Sequence, residues 1–180
     1  MKRSILAALA LTVAPTLGHA FELTSPDLTD GGSIPETFVF NSFGCMGDNI
    51  SPAVEWTNPP EGTQSFAVMV HDGDAITGGA GFWHWVVIDI PATETMLAQG
   101  AGDGSGIPQG ARQMATDFGV PGWGGPCPPK ADTAHAYDFT VYALPVPTLD
   151  IPDAATASFT GFVVNQMALG SAAFSASYDR

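Results

Sequence analysis

Two dense apolar runs, Phe66–Val70 and Trp83–Ile90, are rich in β-branched and aromatic residues. A loop of mostly small residues separates them and carries Asp72 and Asp74. Such runs joined by turn-forming residues predict two strands in a hairpin-like unit, with charged side chains at its rim. In Phe66–Val70 both parities are apolar, which predicts a strand covered on both faces. A third run, His135–Leu144, alternates, so that His135, Tyr137, Phe139 and Val141 share one face and put two polar tips at the end of an apolar stripe. Shorter strands are predicted at Phe21–Leu23, Phe38–Phe40, Ser51–Trp56 and Ala172–Tyr178. Turn signals punctuate them at Asp30-Gly31-Gly32 and Asn58-Pro59-Pro60-Glu61-Gly62. Phe159, Phe162, Val163 and Met167 have helical spacing and predict an amphipathic helix capped near Gly170. The pattern is that of a mainly β domain with short strands and little helix.

Composition places this domain after a leader. Lys2 and Arg3, the apolar run Ile5–Val13 and the small residues before Phe21 form a signal-peptide pattern, with removal expected after Ala20. The run is too short to span a bilayer, and no later stretch reaches the ~20 apolar residues a span needs. A buried N-terminal helix is the alternative reading of residues 1–20. The remaining Phe21–Arg180 has neither repeats nor a long linker and is read as one domain, secreted or periplasmic.

The formal charge is −13, and it becomes −15 once Lys2 and Arg3 are gone, leaving Arg112, Lys130 and Arg180 as strong bases. Nucleic acid is excluded as a partner, because phosphate-backbone binding needs clustered Lys and Arg. In an oxidising compartment the two cysteines, Cys45 and Cys127, tend to pair. The loop so closed would be worth roughly 4 to 5 kcal/mol by chain entropy. Two buried free thiols are the alternative.

Candidate chemistry gathers at Asp72, Asp74, His84, His135 and Tyr137, facing the Gly- and Pro-rich loop Gly119–Lys130. Imidazoles protonated beside carboxylates, a phenol and loop N–H groups can hold a phosphoryl or carboxylate group. The duller readings are turn aspartates, core or strand-edge histidines and a core tyrosine, with His71 taken as structural. No H-E-x-x-H or comparable short-spaced pair suggests a metal, and no G-x-S-x-G suggests a serine hydrolase. Neither a cofactor nor an enzymatic activity is expected.

Several ordered segments carry a resemblance: Asn49-Ile50-Ser51-Pro52 with Trp56, Gly62–Ala67, Asp72–Ala75, Trp83–Val87, Gly124–Pro129 and His135-x-Tyr137 continuing to Leu144. In this order they resemble the phosphatidylethanolamine-binding protein family, also called Raf kinase inhibitor-like, in its bacterial branch. The resemblance implies a sandwich of two antiparallel β-sheets with a few short peripheral helices, including one near the C-terminus, and a small anion pocket near one end. It implies a pocket lined by Asp72, His84, His135 and Tyr137, with Asp74 as the loop's second acid and Gly125 and Pro129 on the facing loop. Cys45 and Cys127 match cysteine positions of similar bacterial members, which supports a disulfide.

A small phosphorylated head group, phosphoethanolamine-like, or a similar small anion is the implied ligand. Protease or kinase inhibition through the surrounding surface, or acid–base catalysis by the pocket groups, are the alternatives. Two departures stand out. Gly73 and Ile76 replace the prolines of the family's D-P-D-A-P loop, which loosens the loop and lowers the expected affinity. Ala136 replaces an arginine, which weakens the pull on anions or leaves an acid unpaired.

Overall fold

The computed structural model describes residues 19–180. The expected leader, residues 1–20, therefore lies outside the described residues apart from His19 and Ala20. Eight strands and one helix follow in chain order: β1 (Glu22–Thr24), β2 (Val54–Thr57), β3 (Ser65–Asp72), β4 (Phe82–Pro91), β5 (Met96–Leu97), β6 (Arg112–Gln113), β7 (His135–Leu144), α1 (Ala157–Met167) and β8 (Gly170–Tyr178). They form two antiparallel sheets, a small one of order β1-β2-β5 and a larger one of order β6-β4-β3-β7-β8.

The apolar pattern explains the layering. Phe66, Val68 and Val70 of β3 join Trp85, Val87, Phe139 and Val141 in a core shared with Leu23, Val54, Trp56 and Leu97 of the small sheet. The alternate residues Ala67 and Met69 pack with Val86, Ile88, Leu149, Ile151 and Val164, so α1 and the segment after β7 cover the outer face. Both parities of β3 are thus buried, as its sequence requires. In β4 the parity changes at Asp89, a non-glycine residue with φ 58°, where the register with β3 shifts and Ile90 turns back to the inner core. This is a β-bulge, which re-aims the side chains beyond it.

Three expectations are corrected. Phe38–Phe40 is not a strand: Glu36–Phe38 forms a 3-10 turn, and the backbone beyond it bonds to loops, Phe40 N–H to Pro126 O and Asn49 N–H to Val39 O. Strand β2 starts at Val54 rather than Ser51, and Pro52 just before it has no N–H to give a ladder. The helix exists but presents another face. Ala157, Thr160, Gly161 and Val164 are buried while Phe159 and Phe162 are half or more exposed, and Gly170 opens β8 instead of capping the helix. Small residues let the helix lie close to the sheet; a Cβ on Gly161 would sit 3.3 Å from Met69 and 3.4 Å from Trp83. Thr156 caps its N-terminus, accepting the Phe159 N–H at 3.2 Å.

Candidate functional site

The site lies where three neighbouring strands of the large sheet end. Asp72, the last residue of β3, is paired with Tyr137 of β7 on one side and with Phe82 of β4 on the other. His84 follows two residues along β4 and His135 opens β7, two residues before Tyr137. The period of two thus sends all of these side chains toward one face. Across from them stand Phe118, Cys127, Pro128 and Pro129, with Phe43 and the loop residues Ala75 and Ile76 at the mouth, around a cavity of about 250 Å³. Phe43 and Ile76 are 75% and 87% exposed, which gives the pocket an apolar rim.

A disulfide and a set of hydrogen bonds fix the facing wall. Cys45 and Cys127 are bonded, S–S 2.11 Å, which ties the Phe43 loop to the 127–129 segment. Arg180 donates to Pro128 O at 2.5 Å and to Phe43 O at 3.5 Å, bracing the same two pieces. The Gly125 N–H donates to Asn49 Oδ1 at 2.8 Å, and Asn49 Nδ2 reaches Trp123 O at 3.3 Å. A Cβ at Gly125 would lie 2.2 Å from Phe38 O, so glycine is needed there for backbone packing.

Asp72 organises the pocket floor. Its Oδ1 accepts the N–H groups of Asp74 at 2.9 Å and Ala75 at 3.0 Å, and its Oδ2 accepts His135 Nδ1–H at 2.7 Å. His135 Nε2 reaches Asp132 at 3.4 Å. Burial pulls the His135 imidazolium down, but Asp72 and then Asp132 outweigh it, and the net shift is upward. His84 differs. It is buried, its Nδ1–H donates to Gly124 O at 2.6 Å, and it forms no ion pair among the described residues. Burial lowers its pKa to about 4, so the ring is neutral at neutral pH. The two imidazoles are thus shifted in opposite directions, His135 up beside its carboxylates and His84 down by burial. Tyr137 has a fully buried side chain whose hydroxyl has no hydrogen-bond partner among the described residues. Burial first, and then the negative charge of Asp72, raise its pKa and keep it protonated.

Of the residues singled out from sequence, Asp72, His84, Pro129, His135 and Tyr137 line the cavity. Asp74 and Gly125 are not among the lining residues. Asp74 Oδ2 accepts the Ala136 N–H at 2.8 Å and so latches the loop onto β7, which gives this acid a partner where the arginine is missing. Gly73 has an ordinary backbone conformation with open space around its Cα, and no cis peptide occurs among the described residues. His71, read as structural, stacks on Trp83 and bonds to Ala80 O. Sequence reasoning missed Phe43, Phe82, Phe118 and Asp132. Asp132 was legible as an acid three residues before His135; Phe43 and Phe118 reach the pocket only through tertiary approach. No cluster of metal-binding type is found among the described residues.

The family model described as phosphatidylethanolamine-binding protein matches residues 24–179. Two Escherichia coli proteins of the UPF0098 group are similar. YbcL is 43% identical over 162 residues, covering 89% of this chain and 88% of its own, and YbhB is 45% identical over 158 residues, covering 87% and 99%. The crystal structure of YbcL, described as a new member of the mammalian family, aligns with a TM-score of 0.86 at 42% identity, covering 89% of this chain and 98% of that one. A Mycobacterium tuberculosis protein, the candidate lipoprotein LppC, is 34% identical over 163 residues, covering 91% and 74%.

Proposed function

Because the chain belongs to the phosphatidylethanolamine-binding protein family, we propose that it is an exported binding protein whose pocket holds a small phosphorylated head group of the phosphoethanolamine type. The observation that carries this reading is the Tyr137 hydroxyl, buried in a cavity wall beside Asp72 with no close hydrogen-bond partner among the described residues. An unsatisfied buried hydroxyl costs free energy unless something else bonds it, and a ligand oxygen would do so. The cavity of about 250 Å³ suits a small group rather than a whole lipid. The substituent that carries the head group would leave past Phe43 and Ile76, whose exposed apolar surface it would cover.

Export is supported by the leader pattern of residues 1–20, by the disulfide and by the likeness to a candidate lipoprotein. No helix among the described residues is long and apolar enough to cross a membrane. On this reading the protein binds and does not turn over its ligand. Titration with phosphoethanolamine, followed by backbone and side-chain NMR, is expected to shift His84, His135 and Tyr137 most, and a His84→Ala variant to lose at least about tenfold in affinity. Shifts confined to another surface, unchanged binding in His84→Ala, or release of phosphate from the ligand would overturn it.

A further inference from the structure

A second cleft lies at the other end of the sandwich. Asp72, in the wall of the first pocket, closes β3, whereas Phe66 near the start of the same strand lines this cleft together with Trp56 of β2. Phe66 belongs to the large sheet and Trp56 to the small one. Their rings meet at a centroid distance of 5.2 Å, so the cleft enters between the two layers. It encloses about 500 Å³, and its rim carries Glu55, Glu94, Asn58 and Met96.

The inner end holds an unmet donor. Trp56 is 1% exposed, and its indole N–H has no hydrogen-bond partner among the described residues. A buried, unpaired N–H costs free energy unless an acceptor reaches it. Beside it the ladder between β2 and the chain leading into β5 is half made. Trp56 N–H donates to Thr95 O at 2.9 Å, but the return bond from Thr95 N–H to Trp56 O is absent. A closely spaced antiparallel pair exchanges both bonds, so a main-chain acceptor is left over on the cleft side of β2.

The rim is acidic and has no counter-charge of its own. Glu55 and Glu94 make no ion pair among the described residues, and no lysine or arginine lines the cleft. Asn58 is engaged, its amide donating to Ala20 O at 3.2 Å and to Thr57 Oγ1 at 3.3 Å. A ligand that completes this cleft brings an acceptor for the indole, a donor for Trp56 O and a cation for the two carboxylates. A peptide group supplies the first two, and a guanidinium supplies a planar cation whose N–H fork matches carboxylates.

We propose that this cleft is a second binding site, which takes an arginine residue of an extended peptide. A peptide carbonyl accepts the Trp56 indole N–H, and the guanidinium lies between Glu55 and Glu94. Met96, 40% exposed, covers the aliphatic stem of the arginine. The formal charge of −13 favours the approach of such a cation. The two ends of the sandwich would then take ligands of opposite charge.

The indole N–H groups provide the readout. Trp85 and Trp123 already donate, to Gln113 Oε1 at 2.7 Å and to Phe38 O at 3.1 Å, so a new acceptor at the cleft moves Trp56 and leaves these two in place. Titration with the acetylated tripeptide amide Gly-Arg-Gly, followed by NMR, is expected to move the Trp56 indole N–H downfield to saturation, with the amides of Thr57, Asn58 and Thr95. The same peptide with citrulline for arginine keeps the hydrogen bonds and lacks the charge. It is expected to bind about threefold to tenfold more weakly, and Glu55→Gln with Glu94→Gln should weaken the arginine peptide to the same extent. Both acids stand on the rim, and far-UV circular dichroism checks that the double variant is folded. Shifts that leave Trp56 unmoved, equal binding of the citrulline peptide, or no saturable shift at millimolar peptide would overturn the proposal. So would unchanged affinity in the folded double variant.

Discussion

Asp72 and His84 lie on adjacent strands of one sheet and occupy opposite electrostatic situations. Asp72 is buried but fully engaged, with two backbone N–H groups on one oxygen and an imidazole on the other. His84 is buried with a single backbone carbonyl for a partner, which its neutral form satisfies. Its pKa of about 4 when folded, against 6.5 when unfolded, makes it a source of acid sensitivity. Between those values the unfolded chain binds a proton that the folded one refuses, so this contribution is complete above pH ~6.5 and lost as pH falls toward ~4, by about 2–3 kcal/mol. His135 acts in the opposite sense. Its raised pKa contributes stability that is present below pH ~6.5 and lost as pH rises through the folded value. Urea unfolding at pH 7 and pH 4.5 is expected to show a smaller loss on acidification in His84→Gln than in the parent chain; equal losses would refute the assignment. Sequence identified both histidines as candidates, but their charge states follow from partners that no spacing rule names. Asp132 is three residues from His135 in sequence, whereas Gly124 is 40 residues from His84.

At the scale of elements, the long strands were legible and the helix face was not. Period-two patterning in β7, and apolar residues at both parities of β3, state directly how many faces each strand buries. Helix α1 misled because its contact face is built from Ala157, Thr160, Gly161 and Val164, whose value lies in being small, while its phenylalanines face outward. The bulge at Asp89 was likewise invisible. It buries a carboxylate that accepts Leu149 N–H at 2.7 Å and Arg112 Nε at 2.7 Å, while Arg112 also donates to Leu149 O, Ile151 O and Asp153. One arginine thus staples the 149–153 segment to the sheet edge. Arg112→Leu would leave Asp89 buried with its charge unpaired, and a loss of about 3–5 kcal/mol is expected in urea unfolding. Asp153→Ala removes only an exposed partner, side chain 90% accessible, and should cost less than about 1 kcal/mol. Equal effects of the two substitutions would show that the buried bulge is not what Arg112 supports.

For the molecule as a whole, the pocket is a joint between the strand ends of the large sheet and loops distant in sequence. The Cys45–Cys127 bond closes a separation of 82 residues and, with Arg180, holds the Phe43 loop against Pro128. In a chain with a formal charge of −13, two of its five strong bases, Lys130 and Arg180, belong to this wall or its flank. Reduction of the disulfide is expected to lower unfolding stability by about 2–4 kcal/mol. It should also weaken phosphoethanolamine, because Phe43, Cys127, Pro128 and Pro129 lose their fixed spacing. Unfolding and titration with and without reductant measure both, and an unchanged affinity in the reduced protein would place the ligand contacts on the sheet side alone.

The sequence by itself determined the mainly β fold, the strands that carry the polar tips and, through ordered motifs, the family. These are local properties: periodicity fixes which side of a strand a residue faces, and Gly and Pro fix where it turns. Tertiary structure alone decided that Asp72 enters the cavity while Asp74 latches onto the backbone of Ala136. It also decided that Gly125 packs against Phe38, and that His84 stays neutral with one nitrogen free. The physical reason is that burial and hydrogen-bond partners are set by segments approaching from far along the chain, and those approaches determine the charge of a side chain more than its own identity does.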